Sequence, residues 1–184
     1  MTRALVASLA LSLGLSFAAR ADDGRVPVFI SDVAVDKGVT VDGQALTSTL
    51  CSAFGKAARL DVMCAPDVKQ LVSFAGQLAM MGKKSPAIEK LEAQMTKVRW
   101  VVRAELKKGD KGGLVFHLGV HDKVSGDNGV FAVAGERRAL FKEPLPDGKT
   151  ARLLDRIPVL AKQATEQMLA STASPPPPAL EGAK

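Results

Sequence analysis

Two histidines, His117 and His121, are the side chains of this chain best suited to acid–base or metal chemistry. They are the only histidines among 184 residues, and they stand four apart in the stretch VFHLGVHDKVSG at positions 115–126. Apolar residues alternate with them, which is typical of a strand and not of a helix. Four residues along a strand cover about 13 Å, whereas metal ligands lie about 2 Å from the ion. The spacing therefore predicts a polar, solvent-facing strand face, with no metal site and no catalytic residue.

The two cysteines, Cys51 and Cys64, form a second chemically interesting pair. In an oxidising compartment an even number of cysteines favours a disulfide. Two small buried thiols are the alternative, because free cysteine is among the most buried residue types. A predicted helix over 43–58 leads directly into a short predicted strand over 59–64, an arrangement that can bring the two thiols together.

A third set of side chains is basic and lies on predicted strands. The candidate patch for an anionic group or a partner comprises Arg99, Arg103, Lys107, Lys108, Arg137 and Arg138. The alternative is a solvated outer sheet face without a ligand. Nucleic-acid readers interleave aromatic side chains to stack bases, and this chain has no Tyr and one Trp. Nucleic acid is therefore not a predicted partner.

The first 21 residues have the pattern of a secretory signal peptide. Arg3 precedes an apolar run over 4–17, and Ala19-Arg20-Ala21 fits the small-x-small cleavage rule. We predict cleavage between Ala21 and Asp22, with a retained membrane anchor as the alternative. Loss of Arg3 and Arg20 lowers the formal net charge from +6 to +4. The mature protein is expected in the periplasm or outside the cell, and it has no second stretch apolar enough to span a bilayer.

Residue periodicity predicts an α/β (α+β) fold with a single mixed sheet of about five strands and three to four helices, in the order β-α-β-α-α-β-β-β-α. The predicted strands cover 26–35, 59–64, 99–106, 116–121 and 130–141, with a bend at Gly135 in the last. The predicted helices cover 43–58, 66–82, 86–98 and 150–169. Pro158 either kinks the last helix or begins a new one. One domain is expected over 22–170, followed by a Pro-rich disordered tail over 171–184.

Four segments of the chain resemble a known family of envelope modules. They are VPVFISDVAV (26–35), LTSTLCSAFGKAARLDVMC (46–64), RWVVRAELKKG (99–109) and FHLGVHDKVSG (116–126). Together they resemble the N-terminal domain of the translocation protein TolB and the related LpoB-like and CsgG-like modules, over about residues 26–170. The helix at 86–98 departs from that pattern. The resemblance implies that Asp122 and Gly126 form a turn, and that the protein binds other envelope proteins without catalysis.

Three functions follow as hypotheses. The first is an exported, non-enzymatic accessory module that binds an envelope protein and needs no cofactor or metal. The second is a secreted hydrolase with carboxylate chemistry, which requires a cleft lined by at least two acidic residues with raised pKa values. The third is a protein that binds cell wall or another anionic polymer through Arg99, Arg103, Arg137 and Arg138.

Overall fold

A computed structural model of the chain describes residues 24–82, 85–109, 112–124, 132–146 and 148–173. In this part of the chain six strands form one mixed sheet and four helices pack against it. The strands are β1 (Val26–Ile30), β2 (Ala34–Val35), β3 (Leu60–Cys64), β4 (Trp100–Lys108), β5 (Leu114–Val124) and β6 (Val133–Leu145). The helices are α1 (Gly43–Gly55), α2 (Ala65–Met80), α3 (Pro86–Lys97) and α4 (Ala151–Ala173). The predicted α/β class and element order are confirmed, with the two-residue β2 added.

The sheet has the strand order β3-β1-β4-β5-β6, and β2 pairs with β4 beyond the end of β1. β1 runs parallel to both β3 and β4. β4, β5 and β6 form the predicted antiparallel meander. One half of the sheet is therefore parallel and the other antiparallel, which is the arrangement that a mixed α/β sheet allows.

Helices α1 and α4 cover the first face of the sheet. The stripe predicted for the last helix is buried, with Leu153, Ile157, Leu160, Ala164 and Met168 each at most 3% exposed. The alternating residues of β4 and β5 meet it from the sheet, since Val102 and Leu118 are fully buried. Alternation in a strand and 3.6-residue spacing in a helix thus produce two apolar surfaces that bury each other.

Helices α2 and α3 cover only part of the second face. Phe29, Met63 and Val101 point to this side and pack in one apolar cluster with Leu91 and Met95. The carboxyl end of α3 is joined to β5, because Lys123 Nζ donates to the main-chain oxygen of Met95 at 2.6 Å. Beyond Val101 no helix of the described residues lies over this face.

Several predicted boundaries need correction. The strand predicted over 26–35 divides into β1 and β2, because the Val33 amide leaves the sheet and donates to Thr47 Oγ1 at 2.9 Å. The loop predicted after residue 141 begins later, since β6 continues to Leu145. Pro144 is tolerated there because β6 is an edge strand whose outer side needs no partner.

Helix α4 runs through Pro158 without a break, so Pro158 does not begin a second helix. The helix ends at Ala173, three residues inside the segment predicted as a disordered tail. Residues 171–173 are therefore helical, and the rest of the segment predicted as a tail lies outside the described residues, as does the leader over 1–21. Within the described ranges, no helix has the length and apolar character needed to cross a membrane.

The predicted disulfide is present and joins Cys51 on α1 to Cys64 at the end of β3, with their Cα atoms 6.2 Å apart. Cys64 is also the residue that precedes the first turn of α2. The bond therefore joins α1, on the first face of the sheet, to the start of α2, on the second face, at the β3 edge.

Candidate functional site

The uncovered half of the second face, formed by β4, β5 and β6, carries a cleft of about 300 Å³. We call it the basic cleft. Its lining residues are Arg103, Glu105, Lys107, His117, Gly119, His121, Arg137, Leu140 and Lys142. All of them come from three neighbouring strands, so the sheet register decides which side chains meet.

The register arranges the cleft residues in rows across the three strands. One row is Glu105, His117 and Lys142; the next is Arg103, Gly119 and Leu140; the third is Val101, His121 and Arg137. Neighbours within a row are on strands about 5 Å apart, and successive rows are about 7 Å apart. Gly119 stands at the centre of this arrangement, where the absence of a side chain leaves a hollow.

The imidazole of His121 lies over Gly119. A methyl group added to Gly119 would be 2.7 Å from Nε2 of His121 and 3.3 Å from its Cδ2, closer than van der Waals contact permits. Glycine at position 119 thus allows the ring of His121 to fold back over the sheet. Gly119 itself needs no special backbone conformation, since it is not among the described glycines with positive φ.

The other ring nitrogen of His121, Nδ1, lies 3.2 Å from the main-chain oxygen of Gly135. A carbonyl oxygen can only accept, so this contact places the proton of a neutral imidazole on Nδ1 and leaves Nε2 as an acceptor. The bend predicted at Gly135 corresponds to an irregularity in the pairing of β5 with β6 between His121 and Lys123. Such irregularities redirect groups out of the regular ladder.

The electrostatic character of the basic cleft is set by four cations and one carboxylate. Arg103, Lys107, Arg137 and Lys142 supply the positive charges, and Glu105 supplies the negative one. Lys107 Nζ lies 2.6 Å from Glu105 Oε2, and this hydrogen bond holds the pKa of Glu105 below its ordinary value of 4.5 against the opposing effect of burial. Glu105 is therefore ionised at neutral pH and cannot act there as a general acid.

His117 stands in the same row as Glu105, and the surroundings of the cleft also shift its pKa. Burial lowers the pKa of His117 below 6.5, and the charges of Lys142 and Lys107 lower it further, while Glu105 opposes them. His117 is thus neutral at pH 7. Both histidines share one face of a strand as predicted, but the predicted exposure to solvent needs correction, because both rings are half-buried among cleft residues.

The predicted basic patch divides into two groups of three. Arg103, Lys107 and Arg137 line the basic cleft, whereas Arg99, Lys108 and Arg138 do not.

Each of the three outside the cleft has its own surroundings. The guanidinium of Arg99 lies 5.7 Å from the centre of the Trp100 ring. Lys108 lies at the far end of β4, beside Gly38. Arg138 donates from Nε to Asp122 at 2.5 Å and pairs with Glu136 at 3.1 Å. The six residues therefore do not form one surface.

Three contributors to the site were missed by sequence reasoning. Lys142 lies in the segment predicted as a loop. Phe141, Glu143 and Leu145 point toward the core, however, and this alternation continues the strand past Lys142. His121 and Gly119 were placed on the correct face, but no local pattern shows that the ring lies over the glycine. A histidine two residues after a glycine on a polar strand face is the signal that could have indicated it.

The cleft lacks the residues needed for several kinds of chemistry. Among the described residues that line it, Glu105 is the only carboxylate, whereas glycosidic hydrolysis by acidic residues requires two. Across the described ranges, no group of three or more His, Cys, Asp or Glu residues is placed to hold a metal ion. Four cations around a hollow are instead suited to holding an anion.

No family model and no curated protein matches the chain. Solved structures with a similar fold include a variant of PelC from Paraburkholderia phytofirmans, crystallised as a dodecamer, with 16% identity over 79% of this chain and 89% of that one, at a TM-score of 0.40. The hypothetical protein CT253 from Chlamydia trachomatis shows 12% identity over 79% and 99%, with a TM-score of 0.39. The lipoprotein GNA1162 from Neisseria meningitidis shows 14% identity over the same shares, with a TM-score of 0.28.

Proposed function

We propose that the protein is an exported, non-catalytic envelope module that holds an anionic group of its partner in the basic cleft. The observation that carries this proposal is the convergence of Arg103, Lys107, Arg137 and Lys142 on one hollow that contains a single carboxylate. Hydrogen bonds from cationic donors to an anion are shorter and stronger than neutral ones. Cations gathered around a recess also raise the local concentration of anions.

Two features support a binding role over catalysis. Glu105, the one acid among the described cleft residues, has a lowered pKa, which is the opposite of what a general acid requires. The secreted-hydrolase alternative also calls for a second acidic residue, and the part of the chain that the structure describes places none in the cleft.

Export is supported by the leader pattern over 1–21 and by the disulfide between Cys51 and Cys64, since disulfides persist in oxidising compartments. The resemblance to TolB N-terminal-like modules adds an envelope protein as the expected kind of partner. Nucleic acid is disfavoured, because no Phe, Tyr or Trp is among the described residues that line the cleft.

The surroundings of the basic residues favour a compact anionic group over a long polymer. Of the four arginines in the polymer hypothesis, Arg103 and Arg137 line the cleft, while Arg99 lies over Trp100 and Arg138 is paired with two acidic residues. These four arginines therefore do not form a continuous line of positive charge along which an extended polymer could bind. A recess of about 300 Å³ fits a small group carried by a larger partner.

The test is a titration of the purified protein with inorganic phosphate, sulfate and acetate, followed residue by residue through amide NMR signals. We expect anion-dependent shifts centred on Gly119 and its row neighbours, and weaker binding at high salt. Arg103→Ala/Arg137→Ala should abolish these shifts.

The matched control is Arg99→Ala/Arg138→Ala, which removes the same charge outside the cleft and should leave the shifts in place. Equal loss in both double variants would show that only net charge matters and would contradict the proposal. The absence of shifts in the unaltered protein would contradict it as well.

A further inference from the structure

One nitrogen in the basic cleft differs in hydrogen-bonding character from its neighbours. The side chains of Arg103, Lys107, Arg137 and Lys142 can only donate. The Nε2 atom of His121, with Nδ1 directed to the Gly135 carbonyl, is an acceptor in the neutral ring. The hollow therefore presents several donors and, directly over Gly119, an acceptor to whatever occupies it.

Two other acceptors line the cleft, the carboxylate of Glu105 and one ring nitrogen of the neutral His117. Glu105 is held by Lys107 at 2.6 Å. Glu105 and His117 also stand together in the row on the far side of Gly119 from His121. Nε2 of His121, by contrast, lies directly over Gly119, at the centre of the cleft.

A ligand that satisfies this site needs several acceptor oxygens and one ionisable O–H on the same anionic group. A phosphomonoester has three terminal oxygens and loses its second proton at a pKa of about 6. When the ester is a monoanion, its O–H donates to Nε2 of His121. When it is a dianion, the same proton resides on Nε2, which then donates to a phosphate oxygen. A phosphodiester and an ionised carboxylate have no such proton.

We propose, building on the anion-binding function above, that the basic cleft is a phosphomonoester site in which His121 distinguishes monoesters from diesters and carboxylates. Arg103, Arg137 and the two lysines supply the attraction common to all anions. His121 supplies the selectivity, because only the monoester brings the proton of this hydrogen bond with it, whereas a diester or a carboxylate can bond to Nε2 only after the ring takes up a proton from solvent. The phosphomonoester can belong to a lipid headgroup or to a soluble molecule.

The test compares methyl phosphate, dimethyl phosphate and acetate by calorimetry near neutral pH. We expect methyl phosphate to bind about tenfold more tightly than the other two, the ratio expected for one hydrogen bond to a charged group. A parallel measurement uses phosphatidylcholine vesicles that contain either phosphatidic acid, a phosphomonoester, or phosphatidylglycerol, a phosphodiester. Preference for methyl phosphate identifies a soluble source, and preference for phosphatidic acid alone identifies a lipid; either supports the proposal.

His121→Asn is the informative variant, because an asparagine amide can still donate to Gly135 but has no counterpart to Nε2. It should bind all three small anions with similar affinity. His117→Asn is its matched control, since it removes the other cleft histidine, which stands two rows from His121, and should keep the tenfold ratio. Circular dichroism establishes that both variants are folded.

The possible outcomes separate the two proposals. Equal binding of monoester and diester by the unaltered protein overturns the phosphomonoester site and leaves the anion-binding function standing. Retained selectivity in His121→Asn overturns the role of His121. Failure to bind any of the three small anions or either vesicle overturns both proposals.

Discussion

The second face of the sheet has two halves of opposite character. In the half beneath α2 and α3, Phe29 and Val101 are buried against Leu91 and Met95. In the half formed by the rest of β4, β5 and β6, the outward side chains are mostly charged, and they line the basic cleft. Both halves belong to one continuous sheet, and β4 passes from one to the other between Val101 and Arg103.

This difference shows how one sheet can serve both stability and binding. Burial of apolar surface stabilises the covered half, at about 25 cal/mol per Å² removed from water. Charged side chains cannot be buried in this way without a large desolvation cost, so helix cover over Arg103 and Lys142 would be unfavourable. The strands of the open half remain rigid because α1 and α4 pack on their opposite face. A rigid floor with an uncovered surface is suited to holding side chains in position for a ligand.

The largest expected effect is on stability in the covered half. Met95→Ala should lower the free energy of unfolding by about 2–5 kcal/mol, because Met95 is 1% exposed and its truncation leaves a cavity. Leu140→Ala, on the same face but in the open half, should cost no more than about 1 kcal/mol. Urea unfolding of both variants measures the difference. Similar losses of unfolding free energy in the two variants would mean that the covered and open halves are packed equally well.

The disulfide gives the second largest effect. Cys51 and Cys64 are 13 residues apart, so Cys51→Ala/Cys64→Ala should lower the unfolding free energy by about 3 kcal/mol. The bond is at the β3 edge of the sheet, whereas the cleft lies on β4, β5 and β6. Phosphate affinity, measured well below the unfolding midpoint, should therefore be unchanged. A large loss of phosphate affinity would contradict this expectation, because it would mean that the disulfide affects the cleft.

A smaller effect on stability, but a specific one on binding, is expected at the centre of the cleft. In Gly119→Ala the added methyl group must displace the His121 ring, because it would lie 2.7 Å from Nε2. The ring can move, and alanine reduces the freedom of the unfolded chain, so stability should change by less than about 1 kcal/mol in either direction. Calorimetry should show reduced preference for methyl phosphate over dimethyl phosphate. An unchanged preference would mean that the selectivity for methyl phosphate does not depend on the position of the His121 ring.

The smallest effect concerns pH. The pKa of His117 is lowered in the folded protein, so the unfolded chain binds this proton more readily. Its contribution to stability is present above about pH 6.5 and is lost as the pH falls through the lowered value. Urea unfolding at several pH values should show that the unfolding free energy of His117→Asn falls less steeply as the pH is lowered.

Lys142→Ala removes one cause of the lowered pKa, so NMR titration should show a higher pKa for His117. No rise would contradict the role of Lys142.

Much of the fold could be predicted because the relevant signals are local. The stripe from Leu153 to Met168 repeats every three to four residues, and it is buried as that spacing requires. The alternation of Trp100, Val102 and Leu106 likewise identified the core face of β4 before any neighbour was known. The end of β6 was placed too early, because Pro144 is a strand breaker everywhere except at an edge, and edge position is not a local property.

The candidate site could be predicted only in part. Arg103, Lys107 and Arg137 were recognised by charge and by their place in or beside two predicted strands, but Arg99, Lys108 and Arg138 satisfied the same criteria and lie elsewhere. Alternation separates Lys107 from Lys108 and Arg137 from Arg138, because adjacent residues of a strand point to opposite faces, but it places Arg99 on the same face as Arg103. Pairing across strands distinguishes them, since each member of the cleft has its neighbours within the same few rows.

The sequence by itself therefore determined the fold class, the core faces and the partners of the disulfide, since these follow from periodicity and from the types of neighbouring residues. The tertiary structure decided that α2 and α3 leave half of one face open, and that Lys142 and Arg137 on β6 stand beside the two histidines. It also decided that the His121 ring folds over Gly119 and toward Gly135. Strand register and helix placement depend on packing between residues far apart in the chain, and that packing leaves no pattern in any short stretch of sequence.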